Sequence, residues 1–229
     1  VGQAETRKLG ENMNLTQAVR EAGVVGAGGA GFPTHVKLNA SAECFIVNAA
    51  ECEPLIETEK YLCRTFPEQV AAAAAAIAAH LGAKRAVIAL KGKYREEIAA
   101  LEGAIQKLGV SVEIFQMPTF YPAGDEQTMV QQVTGRSVPE RGLPLDVGCV
   151  VDNVGTLLNV LQALEGTPVT RKFLSVVGEV KEPIMLDVPI GTPLAECVAA
   201  AEPTLTDYAL IVGGPMMGTP QTELDVPVV

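Results

Sequence analysis

The sequence contains no tryptophan, only two histidines, and just four tyrosines and six phenylalanines. The two histidines, His35 and His80, lie far apart, which leaves little for a histidine-based metal site. Basic residues are also scarce: 17 stand against 27 acids, for a formal charge of −10 over 229 residues. Such acidity repels phosphate backbones, so nucleic-acid binding is not expected. The longest charge-free apolar run, residues 70–83, falls short of the roughly 20 residues that a membrane helix needs, so no membrane insertion is expected.

The five cysteines form no CxxC pair and no zinc or iron–sulfur spacing: they are Cys44, Cys52, Cys63, Cys149 and Cys197. An odd and scattered set argues against the disulfide framework of a small secreted protein. Since 48% of the residues are apolar, the chain can bury a sizeable core. The sequence therefore predicts a globular cytoplasmic protein with reduced thiols.

Apolar periodicity and turn residues predict alternating strands and helices, typical of a parallel sheet in an α/β fold. We expect a Rossmann-like sheet domain over residues 1–170 and a small α+β module over residues 171–229. The strands of the first domain are predicted at 44–48, 86–90, 110–115 and 147–151, and its helices at 15–22, 67–81, 94–108, 125–133 and 156–164. In the second module we expect strands at 174–180, 184–188 and 208–212 and a helix at 194–200.

A glycine-dense stretch at residues 26–34 superficially matches the dinucleotide fingerprint GxGxxG through Gly26, Gly28 and Gly31. The fingerprint requires a preceding strand, whereas this stretch follows a helix and two valines, so a standard dinucleotide site is disfavoured. Four glycines in six positions still let the backbone approach a flat or phosphorylated ligand closely. A simple flexible turn remains the alternative.

Three further polar stretches lie at predicted strand ends or helix starts: residues 48–54, 121–127 and 152–156. Open α/β sheets bind ligands at the carboxyl ends of their strands, so the stretches could converge on one cleft. Each also has a structural interpretation, as solvated loop acids or as caps provided by acids and amides such as Asp125, Asp152 or Asn153. Neither a nucleophile with a histidine base nor a metal-ligand cluster is recognisable, which favours chemistry borrowed from a cofactor.

Together these stretches resemble the superfamily of the complex I NADH-binding flavoprotein subunit. The sequence of residues 26–38 resembles its flavin loop, in the form of the branch that contains the C subunit of the Rnf complex and the cobalamin reductase-like flavoproteins. Residues 48–54, 121–126 and 152–156 resemble its later motifs in the same order. From about Phe173 the chain is similar to a soluble-ligand-binding β-grasp (SLBB) module, and residues 213–218 are typical of this branch.

The resemblance implies a bound FMN that accepts hydride from NADH, with no residue acting covalently. It implies that the FMN phosphate and ribityl chain contact Gly26, Gly28, Gly29 and Lys37, and that the flavin is surrounded by Asn48, Glu51, Tyr121 and Asn153. Phe32 would stack near the adenine, while Glu53 and Glu126 would meet the nicotinamide nucleotide.

Four positions depart from the complex I pattern: Ala27 replaces an arginine, Ala50 an aspartate, Asp125 a glutamate and Asp152 an asparagine. The family's two iron–sulfur clusters are expected only in a C-terminal region missing from this chain, which is therefore predicted to be a fragment. Cobalamin, ferredoxin or membrane redox subunits all remain candidate downstream acceptors, and the choice between NADH and NADPH stays open. Two alternatives are a partner-docking module with a degenerate flavin site and a nucleotide sensor without electron transfer.

Overall fold

A four-stranded parallel sheet organises the first part of the chain in this computed structural model, which describes residues 14–229. Its strands are β1 (Cys44–Asn48), β2 (Arg85–Lys91), β3 (Glu113–Met117) and β4 (Cys149–Asn153), in the order β3-β2-β1-β4. The α/β prediction with a parallel sheet is thus confirmed. Residues 1–13 of the predicted first domain lie outside the part that the structure describes.

Helices cover both faces of this sheet, which explains why its central strands are apolar on both sides. On one face, Phe45 and Val47 pack with α1 (Leu15–Glu21), α4 (Pro67–His80), α5 (Arg95–Leu108) and α7 (Val154–Leu164). On the other face, Cys44 and Ile46 pack with α6 (Glu126–Thr134). The short helices α2 (Thr34–Leu38) and α3 (Thr58–Thr65) and a 3₁₀ turn at Pro144–Val147 complete the described elements of this part.

Four helices begin at residues whose capping chemistry is readable in the sequence. The Asn14 side chain accepts a hydrogen bond from the Thr16 amide at the start of α1, and Pro67 opens α4 at a position where no amide donor is needed. Asp125 and Asn153 cap α6 and α7 in the same way, so the capping interpretation holds for both side chains.

Two predicted strands are displaced toward the carboxyl terminus in the structure. Apolar periodicity predicts β3 at 110–115 and β4 at 147–151, whereas residues 144–147 form the 3₁₀ turn and Gly148 adopts φ 75° before β4 begins. Consequently Asp152 and Asn153 are the last two residues of β4 itself, and the strand hydrogen bonds fix their positions.

Antiparallel pairs dominate after Arg171. β5 (Arg171–Val176) pairs with β6 (Ile184–Pro189), helix α8 spans Leu194–Ala200, and β7 (Leu210–Val212) pairs with β8 (Thr219–Gln221). The α8 prediction is confirmed, while β8 escapes prediction because Thr-Pro-Gln carries little strand propensity. The domain boundary at residues 170 and 171 stays a prediction. Across residues 14–229, every helix is too short or too polar to cross a membrane.

Close packing of α4 against the sheet depends on its alanines. Ala74 is fully buried, whereas Ala76 on the same helix is exposed. We expect Ala74→Leu to lower the free energy of unfolding by about 1–3 kcal/mol, because the added atoms have no space in a close-packed core. Urea unfolding measures this, with Ala76→Leu as the control of equal chemistry. Equal effects from the two variants would contradict the packing described.

Candidate functional site

The site lies where the sheet reverses its strand order. The chain runs outward from β1 through β2 to β3 and then returns to place β4 on the other side of β1. In open α/β sheets, the crevice at the carboxyl ends of the two strands that flank such a reversal is where ligands bind. Here those ends carry Asn48 and Asn153, which are paired in register on adjacent strands. Two of the polar stretches therefore meet at a single edge.

The glycine loop covers this edge. Val25 and Pro33 form an isolated bridge, and the Gly26 amide donates to the Phe32 carbonyl at 2.8 Å, which closes the loop at its base. Residues 27–33 are exposed. The Ala27 amide donates to Thr156 Oγ1 at 2.9 Å, so the loop is tied to the first turn of α7. Between residue 14 and the loop there is no strand, in agreement with the sequence-based argument against a standard dinucleotide site.

Two glycines of this loop contribute different properties. A Cβ at Gly28 would lie 3.4 Å from Cβ of Asn153, so the backbone passes close to the end of β4. Gly29 adopts φ 111° with open space around it, a conformation that a side chain would strain. The loop thus presents bare backbone to the crevice, and any larger residue would narrow it.

Lys37 projects from α2 beneath this loop. Its Nζ donates to the Val151 carbonyl at 2.7 Å and lies 3.5 Å from Asp152 Oδ1 and 3.6 Å from Glu126 Oε1. It also lies 6.0 Å from the centre of the Phe32 ring. Burial raises the pKa of Asp152 to about 6, although the neighbouring Lys37 opposes that rise. The cation is held in place by groups from β4 and α6.

A pair of carboxyl groups adjoins the same edge. Glu59, on α3, accepts at Oε1 from Asn153 Nδ2 at 3.0 Å, and its buried Oε2 has no hydrogen-bond partner among the described residues. The Glu51 carboxyl lies beside the Glu59 carboxyl. Burial, together with Glu59, raises the pKa of Glu51 to about 9. Burial and the neighbouring Glu59 carboxyl thus favour the protonated form of Glu51. Sequence reasoning missed Glu59, since nothing in its local pattern shows that α3 returns it to the sheet.

Asn48 connects two of the polar stretches. Its Nδ2 donates to the Gly124 carbonyl at 2.8 Å, while its Oδ1 accepts from the Ala50 amide at 3.1 Å. The Gly124 amide in turn donates to Cys52 Sγ at 2.9 Å. Tyr121 lies three residues before Gly124 in the same loop and is 50% exposed.

Glu53 is the predicted site residue that turns toward the second part of the chain. Its carboxylate is held by backbone amides of residues 216 and 217, while its own amide donates to Glu51 Oε1 at 2.8 Å. The two acids therefore face different parts of the molecule. Glu51 points to Glu59, and Glu53 points to the second module.

The donor set fits a phosphorylated flavin better than a metal ion. Three buried oxygens at or beside this edge, Thr34 Oγ1, Glu59 Oε2 and Asp152 Oδ2, have no hydrogen-bond partner within residues 14–229. The bare glycine backbone and Lys37 offer donors to a phosphate, and the amides of Asn48 and Asn153 suit the edge of a heterocycle. Within the part of the chain described, no three His, Cys, Asp or Glu side chains are arranged to hold a metal.

Comparison with known proteins identifies the family. The model of the Nuo51 FMN-binding domain matches residues 19–162, and that of the SLBB domain matches residues 173–220. The chain belongs to the Nuo51 FMN-binding domain family. The resemblance inferred from the four motifs is confirmed, and so is the presence of an SLBB module after the sheet.

Curated relatives and solved structures agree with this assignment. The chain is 46% identical to cobalamin reductase PduS of Citrobacter freundii over 96% of its own length and 49% of that relative. It is 36% identical to the C subunit of the proton-translocating ferredoxin:NAD(+) oxidoreductase complex of Clostridium ljungdahlii, over 92% of this chain and 47% of that one. An NAD+-reducing NiFe hydrogenase in its H2-reduced state superposes with a TM-score of 0.85 at 29% identity, over 96% and 45% of the two chains. The chain spans about half the length of these relatives.

Ionisation of the Glu51–Glu59 pair should make stability depend on pH. The pKa of Glu51 rises from 4.5 to about 9 on folding. The contribution of Glu51 to the free energy of unfolding is therefore fully present below pH 4.5 and is lost as the pH rises toward 9. Lys91 and Tyr94 also adjoin this pair. We expect Glu59→Gln to lose less stability between pH 6 and pH 9 than the parent, because a like charge is replaced by an amide donor.

Urea unfolding at the two pH values tests this expectation. Glu102→Gln, at an exposed position of α5, is the control and should follow the parent. A Glu59→Gln variant with the parent's full loss of stability would show that Glu59 does not contribute to the raised pKa of Glu51.

Gly124 should tolerate no side chain. A Cβ there would lie 2.1 Å from the Ala50 carbonyl oxygen and 2.9 Å from Cys52 Sγ. We expect Gly124→Ala to lower the free energy of unfolding by about 3 kcal/mol, because backbone must move. Gly103→Ala, within α5 and with open space around it, should instead raise stability by about 0.5–1 kcal/mol. Thermal unfolding of both variants gives the signs, and a neutral Gly124→Ala would refute the close contact.

Proposed function

We propose that this chain is the FMN- and NADH-binding part of an electron-transfer flavoprotein. The observation that carries the proposal is the glycine loop over the β1–β4 reversal, with Lys37 fixed beneath it. Membership of the Nuo51 FMN-binding domain family supports the same cofactor. When bound, FMN would supply the exchange between two-electron and one-electron chemistry that no side chain here provides.

The loop and Lys37 would bind the phosphate end of the cofactor. Gly28 and Gly29 leave their backbone amides open to an anion, while Gly26, whose own amide closes the loop on Phe32, keeps a side chain out of the way. Lys37 adds a positive charge whose direction is fixed by Val151. The neighbouring acids Asp152 and Glu126 neutralise this cation in the free protein, and a phosphate would compete with them for it.

The amides and the carboxyl pair would orient the ring system. Asn48 and Asn153 are each held by hydrogen bonds to fixed groups, so their remaining hydrogen-bonding capacity has a defined direction. Glu51 would face the flavin as a carboxyl group that keeps its proton at neutral pH, because burial raises its pKa. Tyr121 would close the rim with an exposed aromatic ring.

NADH would approach from the exposed side of the loop. Phe32, 45% exposed, offers an aromatic face on which an adenine could stack, and Glu53 and Glu126 would accept hydrogen bonds from ribose hydroxyls. The names of two relatives, a ferredoxin:NAD(+) oxidoreductase subunit and an NAD+-reducing hydrogenase, support a nicotinamide nucleotide as the hydride donor.

Electrons would leave toward groups outside this chain. We propose iron–sulfur clusters in the remaining half of the full-length protein as the next carriers, and cobalamin, ferredoxin or membrane redox subunits as the downstream acceptor. The relatives include a cobalamin reductase and a ferredoxin:NAD(+) oxidoreductase subunit, which supports cobalamin and ferredoxin as candidate acceptors. A cytoplasmic location and membership of a larger redox assembly remain part of this proposal.

An anaerobic visible spectrum tests the proposal. The chain is incubated with FMN, desalted, and measured before and after addition of NADH. We expect retained flavin absorbance that bleaches with NADH. Lys37→Glu should weaken FMN binding at least about tenfold, because a like charge would face the phosphate. Lys84→Glu is the control, since Lys84 is exposed and immediately precedes β2 at the opposite edge of the sheet.

The outcomes separate the competing functions. Retained flavin that NADH does not bleach would overturn the NADH assignment. No retained flavin in either the parent chain or the full-length protein would favour the partner-docking alternative. Equal FMN binding by Lys37→Glu and Lys84→Glu would refute the phosphate site.

A further inference from the structure

The turn between β7 and β8 holds Glu53 with its backbone. The amides of Met216 and Met217 donate to the two oxygens of the Glu53 carboxylate at 2.9 and 2.8 Å. We call residues 213–218 the clamp loop. Through it, a residue that follows β1 is bound by a segment more than 160 positions further along the chain.

The sequence of the clamp loop is suited to this contact. Gly213 and Gly214 adopt φ 97° and 96°, and a Cβ at Gly214 would lie 2.5 Å from Glu53 Oε2. Pro215 has no amide hydrogen, so Met216 and Met217 are the first donors after the glycines. The Gly218 amide closes the turn on the Gly214 carbonyl at 2.9 Å.

This contact fixes the direction of Glu53. A carboxylate has about four sites for hydrogen bonds, and the two amides occupy one on each oxygen. Glu53 is half-buried, and its own amide donates to Glu51 Oε1 at 2.8 Å, so backbone and side chain are both anchored. Its remaining acceptor sites are therefore preorganised to receive hydroxyl donors.

We propose that the clamp loop is a positioning element of the nucleotide site: it holds Glu53 ready to accept hydrogen bonds from the ribose hydroxyls of a nicotinamide nucleotide. This inference rests on the proposed function above. The proposal makes the SLBB module part of the nucleotide site. It also places Met217, which is 77% exposed, next to the Glu53 carboxylate. Removing the clamp would leave FMN bound, because the clamp loop contacts none of the proposed phosphate ligands in the hydrogen bonds of residues 14–229.

The test replaces Gly214 with alanine in FMN-loaded protein. Gly178→Ala is the matched control, because Gly178 lies in the same module with φ 107° and has open space where a Cβ would lie. NAD+ binding is measured by calorimetry, FMN retention by absorbance, and NADH oxidation as separate kcat and KM values. We expect Gly214→Ala to weaken NAD+ binding and raise KM about tenfold, with FMN retention and kcat unchanged. Gly178→Ala should match the parent in all four.

A double-mutant cycle distinguishes a clamp loop that acts on NAD+ binding through Glu53 from one that only stabilises the fold. Glu53→Gln should weaken NAD+ binding to a similar extent, and adding Gly214→Ala to it should have little further effect, because both changes break one interaction. Additive losses would overturn the proposal. If Gly214→Ala does not fold, Glu53→Gln decides alone, and NAD+ affinity equal to that of the parent would overturn it.

Failure of this inference can be told apart from failure of the proposed function. Parent protein that binds no FMN or no NAD+ would refute the proposed function, and with it the inference. Parent protein that binds both, with Gly214→Ala indistinguishable from Gly178→Ala, would refute the inference alone.

Discussion

The pairing of β1 with β4 is the constraint on which the site depends. Because the two strands run parallel and in register, Asn48 and Asn153 end side by side at the one place where the sheet changes direction. Three other parts of the site are tied to these two residues. The glycine loop crosses the end of β4, α3 returns Glu59 to Asn153, and the loop before α6 is tied to Asn48.

Electrostatics at this edge are dominated by acids, and the fold neutralises them one at a time. Asp152 has Lys37 beside it, Glu51 and Glu59 face one another, and Glu53 receives two backbone amides. Three different means are used: an ion pair, a raised pKa that favours a protonated carboxyl group, and hydrogen bonds from peptide amides. Each leaves the carboxyl group in a defined direction, which is what an oriented ligand requires.

A feature can be predicted from the sequence when the residues that determine it lie close together along the chain. The predicted bounds of β1 and α8 match the observed ones because short apolar runs and local turn residues define them. Glu59 could not be found, since its role arises from the path of α3 back to the sheet. The partner of Glu53 is equally hidden, because main-chain amides carry no side-chain signal in a sequence. β4 is displaced because Gly148 ends a 3₁₀ turn that apolar periodicity alone does not reveal.

Asn153 combines three tasks that only a carboxamide can perform together. Its oxygen accepts from the Gly155 amide, and its nitrogen donates to Glu59. Its Cβ lies next to the Gly28 backbone, where the glycine loop passes the end of β4. A carboxylate of the same shape could cap α7 but would have no proton to give Glu59. Deamidation of this one side chain would therefore place a third acid between Glu59 and Asp152 without changing the outline of the crevice, so the site would lose its charge balance while keeping its shape.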